Sequence, residues 1–279
     1  MTNLRSRQMN ESVQYHDLPV TGIDAMAATT ARAYPRHSHD QYGIGVVDGG
    51  RHTSWSGRGQ VEAGVGELIC CNPGEVTDGR ALGGRARSWR LLYFELATLR
   101  ALCVDVLDGA QSEFTFSNPV FQSRATRALF DRAYAHAGRT GESHAVACES
   151  DLLMLIAGLQ TQSTDQRTKR PMGVSSVRRA KNRIDANPST RITLSELADD
   201  EGLSRYQLIR AFARQTGLTP HAYIVQRRID MARRLLRSGH GIAEAAVLAG
   251  FYDQSHFTRC FVRQFGIPPR RYVSRTATV

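Results

Sequence analysis

Arg210, Arg214 and Gln215 recur as Arg259, Arg263 and Gln264, each 49 positions further along a chain of 279 residues. Phe212, Gly217, Pro220 and Tyr223 keep the same offset, to Phe261, Gly266, Pro269 and Tyr272. Guanidinium and amide groups on the free face of a helix have a definite chemistry. They can read the O6 and N7 edge of guanine in two parallel hydrogen bonds, or hold phosphates without specifying sequence. Aromatic, glycine and proline residues at the same offset are scaffold. So many matches at one offset mark a duplicated structural unit.

Elements that could position these groups follow from the local pattern. In "TLSELADDEGLSRYQLIRAFARQTG", Thr193 is a helix N-cap with Glu196 as its reciprocal partner. Leu194, Leu197 and Ala198 face a core, Gly202 makes a sharp turn, and Ser204 caps a second helix whose Leu208, Ala211 and Phe212 point inward. Arg205, Tyr206, Gln207, Ile209 and Arg210 are left as the DNA-binding candidates of this helix. In "GIAEAAVLAGFYDQSHFTRCFVRQFG", Ile242, Ala246 and Val247 supply the core, Gly250 the turn and Asp253 the cap. Phe257 and Phe261 point inward, and Gln254, Ser255, His256 and Arg259 face outward as candidates. Two short helices joined by a tight turn, with Arg and Gln on the free face of the second, form a helix-turn-helix suited to the major groove. Between the copies, residues 220–239 read as one helix, with Arg227, Arg228, Arg233, Arg234 and Arg237 on its basic side. If Arg227 or Arg228 touches phosphate, replacing it should weaken binding to all sequences alike.

Charge agrees with this division. Residues 1–166 carry 15 Arg and no Lys against 18 acidic residues, and residues 167–279 carry 19 Arg and 2 Lys against 8. A polyanion partner for the second half alone is implied. The five cysteines form no CxxC pair, which argues against a disulfide framework or structural zinc and fits a reducing cytosol. No stretch has the apolar length of a signal peptide or a membrane span, so a cytoplasmic protein without membrane partners is expected.

The first half has a different texture. "YGIGVV", "RHTSWS", "GELICC" and "SWRLLYFE" read as short strands between glycine turns, the pattern of a small barrel or sandwich. Helical periodicity begins near Phe121, and Ala147, Leu152, Leu155, Ile156 and Leu159 are expected to share one stripe. A polar stretch with Pro and Gly then suggests a linker. The fold class is therefore α+β in two domains: a β-barrel with trailing helices over 1–162, a linker over 163–174 and an all-α tandem helix-turn-helix domain over 175–279.

Residues from about 175 to 275 resemble the DNA-binding region of the AraC/XylS family of bacterial transcription regulators. The resemblance lies in "ITLSELADDEGLSRYQLIRAFARQTGLTPHAYI", "RRIDMARRLL" and "IAEAAVLAGFYDQSHFTRCFVRQFGIPPRRY". The first half is similar to that family's cupin-like effector domain through "PRHSHDQYGIGVVDGG" and "ICCNPGEVTDG". Position by position, the resemblance places base reading on Tyr206, Ile209 and Arg210, and on Ser255, His256 and Arg259. Ile209 departs from the pattern: it can pack on a thymine methyl but cannot make a bidentate contact. The resemblance implies an effector-controlled activator that binds double-stranded DNA, forms a homodimer through the helices of 121–163 and meets RNA polymerase.

His37 and His39 raise a metal question, because a His-x-His pair on a strand serves metal-binding cupins. Gly43 and Ile44 stand where such a site needs its Glu, and Thr77 where it needs its third His. No metal, cofactor or catalytic residue is expected. A barrel enclosing a small molecule is the better reading, with His37, His39, Tyr42, Trp89 and Tyr93 as lining candidates. The rival readings are a metal enzyme with a DNA-binding tail, a repair methyl acceptor using Cys70 or Cys71, and a nonspecific architectural binder.

Overall fold

A computed structural model describes residues 11–106, 114–160 and 177–274; the expected linker lies outside them. Two compact units make up the chain, dividing at Thr164 and Asp165, with the short stretches Pro35–Asp40 and Gly74–Thr77 grouped with the second.

Two sheets are formed between residues 12 and 121. The larger contains β1 (Ser12–Asp17), β2 (Ile23–Thr30), β4 (Tyr42–Gly49), β7 (Leu68–Cys71), β9 (Arg87–Phe94) and β10 (Val120–Phe121), in the order β1-β2-β9-β4-β7-β10. The smaller has the order β3-β8-β5-β6, from β3 (Tyr34–Ser38), β5 (His52–Ser56), β6 (Gly59–Ala63) and β8 (Val76–Ala81). Alternation along β9 gives each face its own role. Leu92 and Phe94 join Ile44, Val46 and Leu68 in a core completed by α1 (Leu96–Val106), α2 (Arg124–Tyr134) and α3 (Glu142–Gln160). Trp89 faces the other way, and its ring meets Tyr34 of β3 and His52 of β5.

The stripe of α3 is shifted from the expected one. Ala147 is exposed and Cys148 is fully buried beside Leu152, Leu155, Ile156 and Leu159. A free cysteine packs as a small apolar residue, and position 148 completes the i, i+4, i+7, i+8 series that 147 does not.

Short helices make up the second unit: α4 (Arg178–Ala186), α5 (Leu194–Glu201), α6 (Arg205–Thr216), α7 (Pro220–Arg237), α8 (Ile242–Leu248), α9 (Gln254–Phe265) and α10 (Pro269–Ser274). At 18 residues, α7 is about 27 Å long. Leu197, Ala198, Leu208, Ala211 and Phe212 close the core of the first copy together with Ala180 and Ile184. Phe257, Phe261, Phe265 and Tyr272 stack in the second. Val247 is 67% exposed, contrary to expectation, while Ala246 is buried as expected and Ala245 and Ala249 are buried with it. Small side chains let this short helix approach its neighbours closely, and 100° steps then turn position 247 outward.

Candidate nucleic-acid interface and effector barrel

Local hydrogen bonding sets both helix-turn-helix units. The Thr193 hydroxyl accepts from the Glu196 N–H while the Glu196 carboxylate accepts from the Thr193 N–H at 2.7 Å, a reciprocal cap. Gly202 then adopts the left-handed conformation (φ 66°) that a side chain would resist. Ser204 and Gln207 repeat the reciprocal cap at the start of α6. Asp253 accepts from the His256 N–H at the start of α9.

These caps aim two outward faces. On α6, Arg205, Tyr206, Gln207 and Arg210 are exposed and Ile209 is half-buried. The Arg210 guanidinium lies 5.7 Å from the centre of the Tyr206 ring, one turn away. Gln207 Oε1 is committed to the cap, accepting from the Ser204 N–H at 2.9 Å. On α9, Gln254, Ser255 and Arg259 are exposed, and His256 is half-buried with its ring edge-on to Phe251. Among the described residues, none of Arg205, Arg210, Arg214, Arg259 and Arg263 has an acidic partner within ion-pair distance.

The connecting helix behaves differently. Arg227 reaches Asp185 at 3.1 Å and Asp230 at 3.3 Å, and the Tyr223 hydroxyl donates to Asp185 at 2.7 Å. Arg228 donates to the carbonyls of Pro188 and Thr190. Arg233 is buried. Arg227 and Arg228 are thus braces between α7 and the segment around the end of α4, so the condition of a phosphate contact is not what their geometry supplies. Asp230 is one helical turn from Arg227, but Asp185, Pro188 and Thr190 lie some forty residues away in sequence, so no local pattern announced them. The same loop touches the second copy, where the backbone of Ser189 presses on Gly250. One loop therefore contacts both the connecting helix and the turn of the second unit.

In the first unit the expected lining residues separate by strand parity. Trp89, Leu91 and Tyr93 share the inner face of β9 and are buried. Tyr42 pairs with Phe94 and Tyr93 with Gly43, so Tyr42 belongs to the opposite face. Its hydroxyl donates to the Phe114 carbonyl at 2.7 Å, and its ring packs on Phe114 and Phe116. His37 alternates with Tyr34 along β3 and faces away from the side on which Tyr34 meets Trp89. Its Nδ1 lies 2.7 Å from the Pro35 carbonyl and so carries the proton. Its Nε2 lies 3.1 Å from His39 Nε2. Grouping Tyr42 and His37 with Trp89 and Tyr93 is corrected by these registers.

One inner-face residue was missed. Arg87, two positions before Trp89, is fully buried. Its Nε donates to His52 Nδ1 at 2.8 Å and its guanidinium stacks 4.6 Å from the Trp89 ring centre. Burial, and secondly the Arg87 charge, push His52 down to about 3, so its imidazole is neutral. The alternation 87, 89, 91, 93 was present in the sequence, but a charged residue argues against a buried position.

The two units together define a class: a transcription regulator joining a DNA-binding helix-turn-helix domain to a ligand-binding domain. Residues 197–275 match a family model of a helix-turn-helix domain, and residues 18–156 match that of an AraC-like ligand binding domain. The HTH-type transcriptional activator RhaS of Yersinia pestis (strain Pestoides F) is 30% identical over 284 residues, covering 93% of this chain and 96% of RhaS. The uncharacterized HTH-type transcriptional regulator YbfI of Bacillus subtilis (strain 168) is 26% identical over 225 residues, covering 80% of this chain and 81% of YbfI. The crystal structure of ToxT from Vibrio cholerae O395 has the same fold, with a TM-score of 0.55 at 9% identity over 93% of this chain and 100% of ToxT. The chain belongs to the AraC family.

Among the described residues, no helix is long and apolar enough to cross a membrane.

Proposed function

We propose that this regulator binds a specific operator through α6 and α9, which read successive major-groove segments, and that a small molecule in the barrel controls how it does so. The observation that carries the reading is the contrast among arginines. Those on α6 and α9 are exposed and lack acidic partners among the described residues, whereas Arg227 and Arg228 on α7 are committed to protein groups. Unpaired guanidinium groups on two repeated helices are a cost to a protein that has nothing to meet, because like charges repel. Arg210 and Arg259 are assigned to base edges, with Tyr206, Ile209, Ser255 and His256 beside them. Arg205, Gln207 and Gln254 position the helices at the backbone. Trp89 and Tyr93 line the effector site.

Activation is supported by the name of the relative RhaS, a transcriptional activator, and contact with RNA polymerase would follow from activation. A homodimer through α3 is supported by the exposed Val146 and Met154 on its outer side. As a DNA-binding regulator it works in the cytoplasm.

Selection from random duplexes, followed by binding titrations at physiological salt, tests the reading. A recovered site should bind at least about 10³-fold more tightly than bulk DNA. A preference of less than about tenfold would favour the architectural binder.

A further inference from the structure

Arg87 and Arg90 stand three positions apart on β9, on opposite faces, and their surroundings differ in kind. Arg90 has the company a guanidinium needs: both nitrogens on one edge meet Asp48 at 2.8 Å, Asp131 lies at 2.8 Å, and Phe130 and Tyr134 flank it. Arg87 is more deeply buried, yet its partners are a neutral imidazole and the carbonyls of Thr30 and Arg32. No carboxylate lies within ion-pair distance of it among the described residues. Three of its five N–H donors are used, and Nη2 is buried without an acceptor. Beside Nη2 the smaller sheet presents Gly79, where an added Cβ would stand 3.0 Å from His52 Cε1 and 3.4 Å from that nitrogen. The Tyr34 hydroxyl is also buried without a partner, and its ring lies edge-on to Trp89. Burial holds the Tyr34 phenol above its usual range, which keeps it a donor. Burial likewise lowers Arg87 to about 10, which leaves it charged at neutral pH.

A buried cation without a counter-charge is costly, and its two unused donors lie beside a position that carries no side chain. We propose that the effector is a small organic acid whose carboxylate is held by Arg87 Nη2 beside Gly79, with its apolar part against Trp89. This rests on the reading of the barrel as the effector domain and adds the chemical class of the ligand. Neutral sugars or alcohols would satisfy donors but leave the charge uncompensated. A carboxylate does both.

Trp55 and Trp89 are the two tryptophans of the chain, so the full-length Trp55→Phe variant leaves Trp89 as its fluorescent reporter. Titrations would compare matched acid and amide pairs, benzoate with benzamide and hexanoate with hexanamide. The proposal expects at least one acid to change Trp89 emission saturably and to bind about tenfold or more tightly than its amide. Arg87→Met should abolish that preference. Gly79→Ala, which keeps the Arg87 side chain and sets a Cβ 3.4 Å from Nη2 and 3.0 Å from His52 Cε1, should weaken the acid by a similar factor, and it keeps the test decisive if Arg87→Met fails to fold. Saturable binding of an amide as tight as its acid would overturn the carboxylate assignment while leaving the effector barrel standing. No response of Trp89 to either member of any pair would contradict both.

Discussion

The two helix-turn-helix units share a plan, yet their turns are built under different constraints. Both use a glycine with positive φ, Gly202 at 66° and Gly250 at 83°. Around Gly202 there is open space, since a Cβ there would meet nothing within 4 Å. Around Gly250 a Cβ would stand 2.5 Å from the Ser189 carbonyl oxygen and 2.7 Å from its Cα. The first glycine answers only to its own backbone. The second also answers to the loop that holds Arg228. The first turn is a local device, while the second is a joint in the domain. The reading faces differ too: α6 offers a Tyr206–Arg210 stack and the apolar Ile209, whereas α9 offers Gln254, Ser255, His256 and Arg259.

Gly250→Ala should break this comparison most visibly. Left-handed strain and a clash with backbone that cannot swing aside add to about 3 kcal/mol or more, against about 1–2 kcal/mol for Gly202→Ala, where strain acts alone. Urea unfolding of both variants checks it, and equal losses would show that the Ser189 contact carries no weight. A second pair sharpens the contrast between connecting and reading helices. Arg227→Ala should destabilise the domain by about 1–3 kcal/mol, since it removes the ion pairs to Asp185 and to the buried Asp230, and should leave the salt dependence of DNA binding unchanged. Arg214→Ala should change stability by no more than about 0.5 kcal/mol and flatten the salt slope by about one unit. Thermal unfolding and binding titrations across a salt series separate the two.

Much of the second unit was legible because its signals are local. Thr193, Ser204 and Asp253 act within three residues of themselves, and Phe212, Phe257 and Phe261 fall on a helical period, so caps and core could be read directly. What required partners distant in sequence was hidden. The commitment of Arg227 to Asp185, of Arg228 to Pro188, and of Gly250 to Ser189 depends on how α4 and its loop fold back. In the barrel, short strands announced themselves, but the face taken by Tyr42 depends on its register with Phe94. Arg87 was obscured for another reason: a charge at an inner position contradicts the alternation that identifies the strand.

The central claim is that equivalent arginines of the two units each read a base in successive grooves. Its most direct test is binding of the wild-type chain, Arg210→Ala and Arg259→Ala to a selected operator and to every single base-pair substitution of it. The account predicts that each variant loses discrimination, about 1–3 kcal/mol, at one base pair of its own, and that the two positions lie about one helical turn apart. Uniform weakening of all sequences by either variant, or loss at one shared position, would contradict it.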